Sequence, residues 1–303
     1  MQTTKNRNVS HKRYAPWEAI LLFGVIGIFM VLILIPFLLL LSGSFSDSAA
    51  ISETGVGFLP KNFTLDAYRF VFRFPQEILE SYLFSIVVTV SGTVLNLLLC
   101  LPVAYALART NFTWKTPLTV FFVFTLMFNG GYAANYILFR NVLNLYDTWW
   151  VLIVPPAGMV AHMILLRVFY GAVPEALYES ASIDGASEYR IFLSIATPLI
   201  VTGISTAAFY SVLFYWNDPF QAMLYTDNVV PVALYLTRIT QYIEFLRYAQ
   251  ESGFAGVDLG GIAIPEETLV FAIAIATTAP MLCVFVAFQK YFVRGLTAGS
   301  VKG

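Results

Sequence analysis

The sequence predicts an all-α integral membrane protein with six transmembrane helices, and two observations carry that reading. Of 303 residues, 58% are hydrophobic and 12% are charged, where soluble domains hold about 45–50% and about 25%. The apolar residues also gather in separate runs of roughly 20, the length a helix needs to cross about 30 Å of hydrocarbon. In lipid such a run satisfies its own backbone only as a helix. A net charge of −1 with no clustered basic patch gives no sign of a nucleic-acid partner.

Residues 1–16, with Lys5, Arg7, Lys12 and Arg13, read as a polar N-terminal tail. The run that follows, Trp17–Leu41, has 25 residues, whereas a signal-peptide apolar region has about 7–15; it reads as a retained anchor helix. The second run is Tyr82–Leu107 and the third Pro117–Phe139, which Asn129, Gly130 and Gly131 are expected to split into a helix and an outer re-entrant or short helical piece. The fourth, fifth and sixth are Trp149–Phe169, Pro198–Trp216 and Leu269–Phe288. Cys100 and Cys283 both fall inside runs and read as small apolar fillers, with no disulfide framework or metal site indicated.

Orientation follows from the basic residues. With the N-terminus placed in the cytoplasm, the inner segments carry 11 of the 17 Lys and Arg residues, the asymmetry that marks cytoplasmic loops. Both termini then face the cytoplasm of a cell (plasma or inner) membrane. The outer segments 42–81 and 217–268 are long enough to meet another protein outside.

The strongest local signals lie in the cytoplasmic loop 173–197. Pro174 suits a helix start and Glu175 complements the helix dipole there, so a helix is expected to begin at Val173–Pro174. Gly185 is suited to end it in the left-handed conformation, and Ser187 to cap a second helix, Glu188–Ala196, before Pro198 opens the next span. The product is a helix–Gly–helix elbow exposed on one face of the membrane.

The segment EALYESASIDGASEYRIFLSIATPLI, residues 175–200, resembles the EAA loop of ABC importer permeases. Glu179, Ala181, Asp184, Gly185, Ile191 and Pro198 match its pattern, and Ser180 stands where the pattern has Ala. The ending QKYFVRGLTAGSVKG, residues 289–303, resembles that of carbohydrate-type permeases, and the similarity spans roughly residues 78–303, including FNGGYAANYILFRNVLNLYDTWWVLIVP. The resemblance implies a type I ABC importer permease fold, with a permease core over 78–289 and a cytoplasmic tail over 290–303. It implies a transport subunit for a carbohydrate, an oligosaccharide, and not an enzyme. The implied partners are a second homologous permease, two ATP-binding subunits and an extracellular solute-binding protein.

In that family the elbow docks in the ATPase, so the resemblance implies coupling roles for Glu175, Glu179, Ser180, Ala181, Asp184, Gly185 and Ala186. Likewise the tail residues Gly295, Gly299 and Lys302 would lie near the ATPase. These do not fit the spacing of a phosphate-binding P-loop and no strand precedes them. ATP and Mg are therefore expected on the partner chain, and this chain is expected to hold no cofactor.

A sugar path needs hydrogen-bonding groups to replace water and aromatic faces to stack on pyranose rings. Candidates are Asn129, Tyr132 and Asn135 at the broken third run, with Tyr215 and Asn217 at the outer end of the fifth. Tyr215, like Trp149, Trp150 and Trp216, suits an interfacial anchor better than a sugar ligand. Asn96 lies mid-span, where it either glues helices together or lines a cavity. An ion-coupled secondary transporter or channel is the alternative, but it needs buried ionisable groups, and apart from His162 the runs are nearly free of them. A non-sugar ABC substrate is a second alternative.

Overall fold

The computed structural model describes residues 16–109, 112–128, 130–252 and 266–300. Every regular element among them is helical: α1 Pro16–Ser44, α2 Ser48–Thr54, α3 Asp66–Val71, α4 Pro75–Ala108, α5 Lys115–Met127, α6 Gly131–Ile137, α7 Trp149–Ile153, α8 Val160–Gly171, α9 Glu175–Ile183, α10 Glu188–Ile191, α11 Thr197–Leu199, α12 Val201–Asn217, α13 Pro219–Tyr225, α14 Val232–Glu251 and α15 Glu266–Ser300. π-Helical turns follow α6 at Leu138–Val142 and α10 at Phe192–Ala196. α1, α4 and α15 are each long and apolar enough to cross a membrane alone, and three bent helix pairs bring the number to as many as six.

The second run begins earlier than its hydropathy suggests. α4 is 34 residues long because Pro75 presets the first turn and Glu77 complements the dipole, carrying the helix back from Tyr82. The third run is broken where Gly130 and Gly131 predict, with Gly131 at φ +80°.

Two expected spans are corrected. The fourth is not one helix: Pro155, Pro156 and Gly158, the last at φ +77°, stop α7 and separate it from α8. Proline removes an amide donor and its ring clashes with the carbonyl four residues back. The fifth opens at Val201 rather than Pro198, after a 79° bend between Glu188–Leu199 and Val201–Asn217. The π-helical turn lies just ahead of Pro198, where widening the helical ladder relieves the clash with the Ser194 carbonyl.

The chain divides into two units. In the first, residues 1–71 with 263–275, the ring of Phe271 covers Gly43 so closely that a Cβ there would lie 2.5 Å from it. Tyr68 donates to the Ser44 hydroxyl at 2.9 Å, and Phe45 stacks on Phe63.

In the second unit, 72–262 with 276–303, α4 is the central post, and α8 and α12 pack along it. Two glycines set the spacing. A Cβ on Gly92 would fall 2.5 Å from the Tyr215 ring of α12, and one on Gly203 would fall 2.5 Å from the Phe169 ring of α8. Small residues at such crossings are how membrane helices approach closely. Away from these crossings, the loop before α7 is stapled to the loop after α13. Asp147, held at φ +55°, donates its amide to the Tyr225 carbonyl at 2.9 Å, and its Oδ1 accepts from the amides of Asp227 and Asn228, each at 2.8 Å.

Candidate functional site

The elbow is built by local rules. α9 starts at Glu175 with Pro174 as its cap, one residue inside the expected start. Its end is a Schellman turn: the Ala186 amide donates to the Ala181 carbonyl at 3.0 Å and the Gly185 amide to the Ser182 carbonyl at 3.1 Å. Gly185 sits at φ +75°, where a residue with a Cβ is strained. Ser187 then accepts from the Arg190 amide at 3.3 Å and starts α10.

The two faces of the elbow differ. Tyr178, Ala181 and Ile191 are buried in one cluster with Cys100, Ala104 and Tyr105 of α4 and with Met163, Leu166 and Tyr170 of α8. Ala186 packs against the same cluster, as the apolar partner of Ala181 across the Schellman turn. Glu175, Glu179, Ser180, Asp184 and Gly185 are exposed. So are two large side chains, Ile183 at 86% and Tyr189 at 73%. Of the residues singled out for coupling, Ala181 and Ala186 thus turn toward the helix core, Glu175 reaches the end of α4, and Glu179, Ser180, Asp184 and Gly185 are exposed.

Four long-range contacts fasten the elbow to α4. Arg109, which caps the end of α4, pairs with Glu175 at 3.4 Å and with Glu188 at 3.0 Å. Its guanidinium also lies 4.4 Å from the centre of the Tyr178 ring, within range of a cation–π attraction. The second oxygen of Glu188 accepts from the Tyr105 hydroxyl at 2.7 Å. Tyr105 and then Arg109 hold the Glu188 carboxyl below the usual carboxylate range, while burial pushes the Tyr178 hydroxyl up.

A second polar cluster lies deeper, on Asn96, which has no exposed surface. Its Oδ1 accepts from the amides of Gly158 at 3.1 Å and Met159 at 2.9 Å. That fixes the other end of the amide as the donor, and Nδ2 reaches Ser211 Oγ at 2.7 Å and His162 Nδ1 at 2.9 Å. His162 is therefore an acceptor at Nδ1, with its ring proton on Nε2. Asn96 joins α4, α8, α12 and the break between α7 and α8.

The other path candidates do not converge on one site in this conformation. Tyr215 is buried against Gly92 and donates to the Ile153 carbonyl at 3.2 Å. Asn217 is exposed and bonds its own helix at Leu213. Tyr132 is exposed and Asn135 half-buried on α6, while Asn129 lies outside the described residues. Gly295 and Gly299 lie within α15, which runs unbroken to Ser300, and Lys302 is outside the described residues. Sequence reasoning missed the roles of Arg109, Tyr105 and Glu188. Arg109 stands 66 and 79 residues from its two acids, so no local spacing marks it.

No family model matches the chain. It is 34% identical over 286 residues to the protein LplC of Bacillus subtilis (strain 168), covering 94% of this chain and 93% of that one. It is 33% identical over 288 residues to the polygalacturonan/rhamnogalacturonan transport system permease protein YtcP of the same organism, with 93% and 97% covered. The trehalose transport system permease protein SugB of Mycobacterium tuberculosis (strain CDC 1551 / Oshkosh) is 28% identical over 276 residues, with 89% and 92% covered. Among solved structures, a chain of a bacterial ABC transporter involved in the import of the acidic polysaccharide alginate superposes with a TM-score of 0.75 at 26% identity. That match covers 92% of this chain and 99% of the other. With relatives of this identity matched nearly end to end, the chain belongs to the sugar ABC transporter permeases, multi-pass membrane subunits that are not themselves enzymes.

Proposed function

We propose that the chain forms half of the translocation path of a binding-protein-dependent importer for an oligosaccharide, driven by a separate ATPase through the 175–198 elbow. The observation that carries this reading is the two-sidedness of the elbow: one face is packed into the α4–α8 core and the other presents Glu179, Ile183 and Tyr189, exposed among the described residues. A rigid element of that kind can receive a push from a docked subunit and pass it to the helices. Glu179 contacts the ATPase, Gly185 sets the bend, and ATP and Mg stay on the partner.

In this reading a second homologous permease supplies the other half of the path, two ATP-binding subunits dock beneath, and an extracellular solute-binding protein delivers the sugar. Both termini and the elbow face the cytoplasm, in keeping with the bias of Lys and Arg. The substrate class is supported by relatives named for polygalacturonan/rhamnogalacturonan and trehalose, and by the alginate transporter.

A variant that keeps buried Cys100 and moves the exposed cysteine to the elbow, Ser180→Cys with Cys283→Ser, tests the placement. A membrane-impermeant maleimide should label it in inside-out vesicles and leave it unlabelled in intact cells; labelling from outside would end the proposal. Binding-protein-dependent uptake of labelled oligosaccharides tests the cargo, and uptake of amino acids or peptides alone would count against it.

A further inference from the structure

We propose that Arg109 is a positioning residue that locks both arms of the elbow to the end of α4, so that elbow and α4 move as one body. The inference rests on the coupling role given to the elbow above and adds the joint through which motion reaches the spans.

The geometry is specific to the bend. Arg109 reaches Glu175 and Tyr178 on the arm before Gly185, and Glu188 on the arm after it. A change in the angle at Gly185 has to break one set of these contacts. Glu188 is in turn tied to α4 twice, by Arg109 and by the Tyr105 hydroxyl one turn earlier. The charges also match the three helix ends they occupy. Glu175 and Glu188 are the first residues of α9 and α10, where an anion is favoured, and Arg109 caps the end of α4, where a cation is favoured.

Residue type matters as much as charge. A guanidinium offers five donors in a planar fork and a face that stacks on an aromatic ring, so it can serve two carboxylates and Tyr178 together; an ammonium is a compact point charge. The Arg109 side chain is only 12% exposed, against 47% and 63% for its acids. Beside it opens a cavity of about 80 Å³ lined by Arg109, Tyr170, Val173, Glu175 and Tyr178, so the guanidinium is held by its polar partners and the Tyr178 ring more than by close packing on that side.

The test uses the complete transporter in liposomes, with uptake per ATP hydrolysed and retention of the ATPase both measured for Arg109→Lys, Arg109→Gln, Glu188→Gln and the double Gln variant. Arg109→Lys keeps the charge, so it should insert and assemble normally. Its uptake per ATP should still fall about fivefold or more, the lower end of usual coupling between sites. Residues acting through one contact do not add, so the double Gln variant should be no worse than the more impaired single variant. Normal uptake per ATP in both Arg109 variants, or losses that add, would overturn the lock.

Hydrogen exchange on the full chain alone in nanodiscs separates this from the docking reading. Arg109→Gln should speed exchange in 175–191 with no ATPase present, and unchanged exchange would overturn the lock whatever docks there. Absence of a Ser180→Cys cross-link to the ATPase in an otherwise unaltered chain would instead sink the docking reading.

Discussion

Asn96 and Glu188 are single residues whose burial or charge has a consequence that can be measured. Asn96 holds two amides and three side chains with one amide group, so replacing it by Leu strands the Gly158 and Met159 donors next to a buried His162. An unmade buried hydrogen bond costs about 1–3 kcal/mol in water-soluble proteins and membrane values average nearer 0.6. Asn96→Leu should therefore destabilise the purified chain by about 2 kcal/mol, read as a lowered thermal midpoint in detergent. Glu188 gives a pH test. Its carboxyl is held low in the folded chain by Tyr105 and Arg109, so its contribution is complete above the ordinary carboxylate range and is lost as pH falls through its lowered value. Elbow amide protection should fall on acidification in the unsubstituted chain and stay nearly flat in Glu188→Gln; identical profiles would contradict this. The sequence shows that Asn96 needs a partner, because an amide in hydrocarbon cannot stand alone. It does not show which, since all the partners but Cys100, one turn along α4, lie 62 to 115 residues away.

At the scale of the element, the elbow is the part of the molecule most legible in the chain. Pro174, Gly185 and Ser187 act on backbone groups within a few residues, so their spacing predicts the helix ends to within one residue at α9. No atom lies within 4 Å of where a Cβ on Gly185 would sit, so substitution there meets backbone strain alone. Gly185→Ala should cost the elbow about 1–2 kcal/mol and Ser187→Ala about 1 kcal/mol, both read from local hydrogen exchange. Gly185→Val should leave insertion intact and uncouple hydrolysis from uptake; normal uptake would count against the elbow. The broken fourth span was less legible. Apolar run length dominates the reading there, whereas Pro155, Pro156 and Gly158 decide that the backbone turns, and the turn is what presents two amides to Asn96.

For the whole molecule, the second unit is organised around α4, and its contacts are separable. The Asp147 staple joins the loop before α7 to the loop after α13 and shares no residue with the elbow lock. Asp147→Ala frees the amides of Asp227 and Asn228 and should speed their exchange while leaving protection in 175–191 unchanged. The amino-acid sequence by itself determined the membrane class, the approximate spans and the bend at Gly185. Run length, proline and glycine chemistry and capping each depend on neighbours along the chain. Only the tertiary structure decided that Asn96 is a junction of three helices and that Arg109 fastens the elbow. Those contacts arise where α4, α8 and α12 come together, and their partners are chosen by packing rather than by sequence distance.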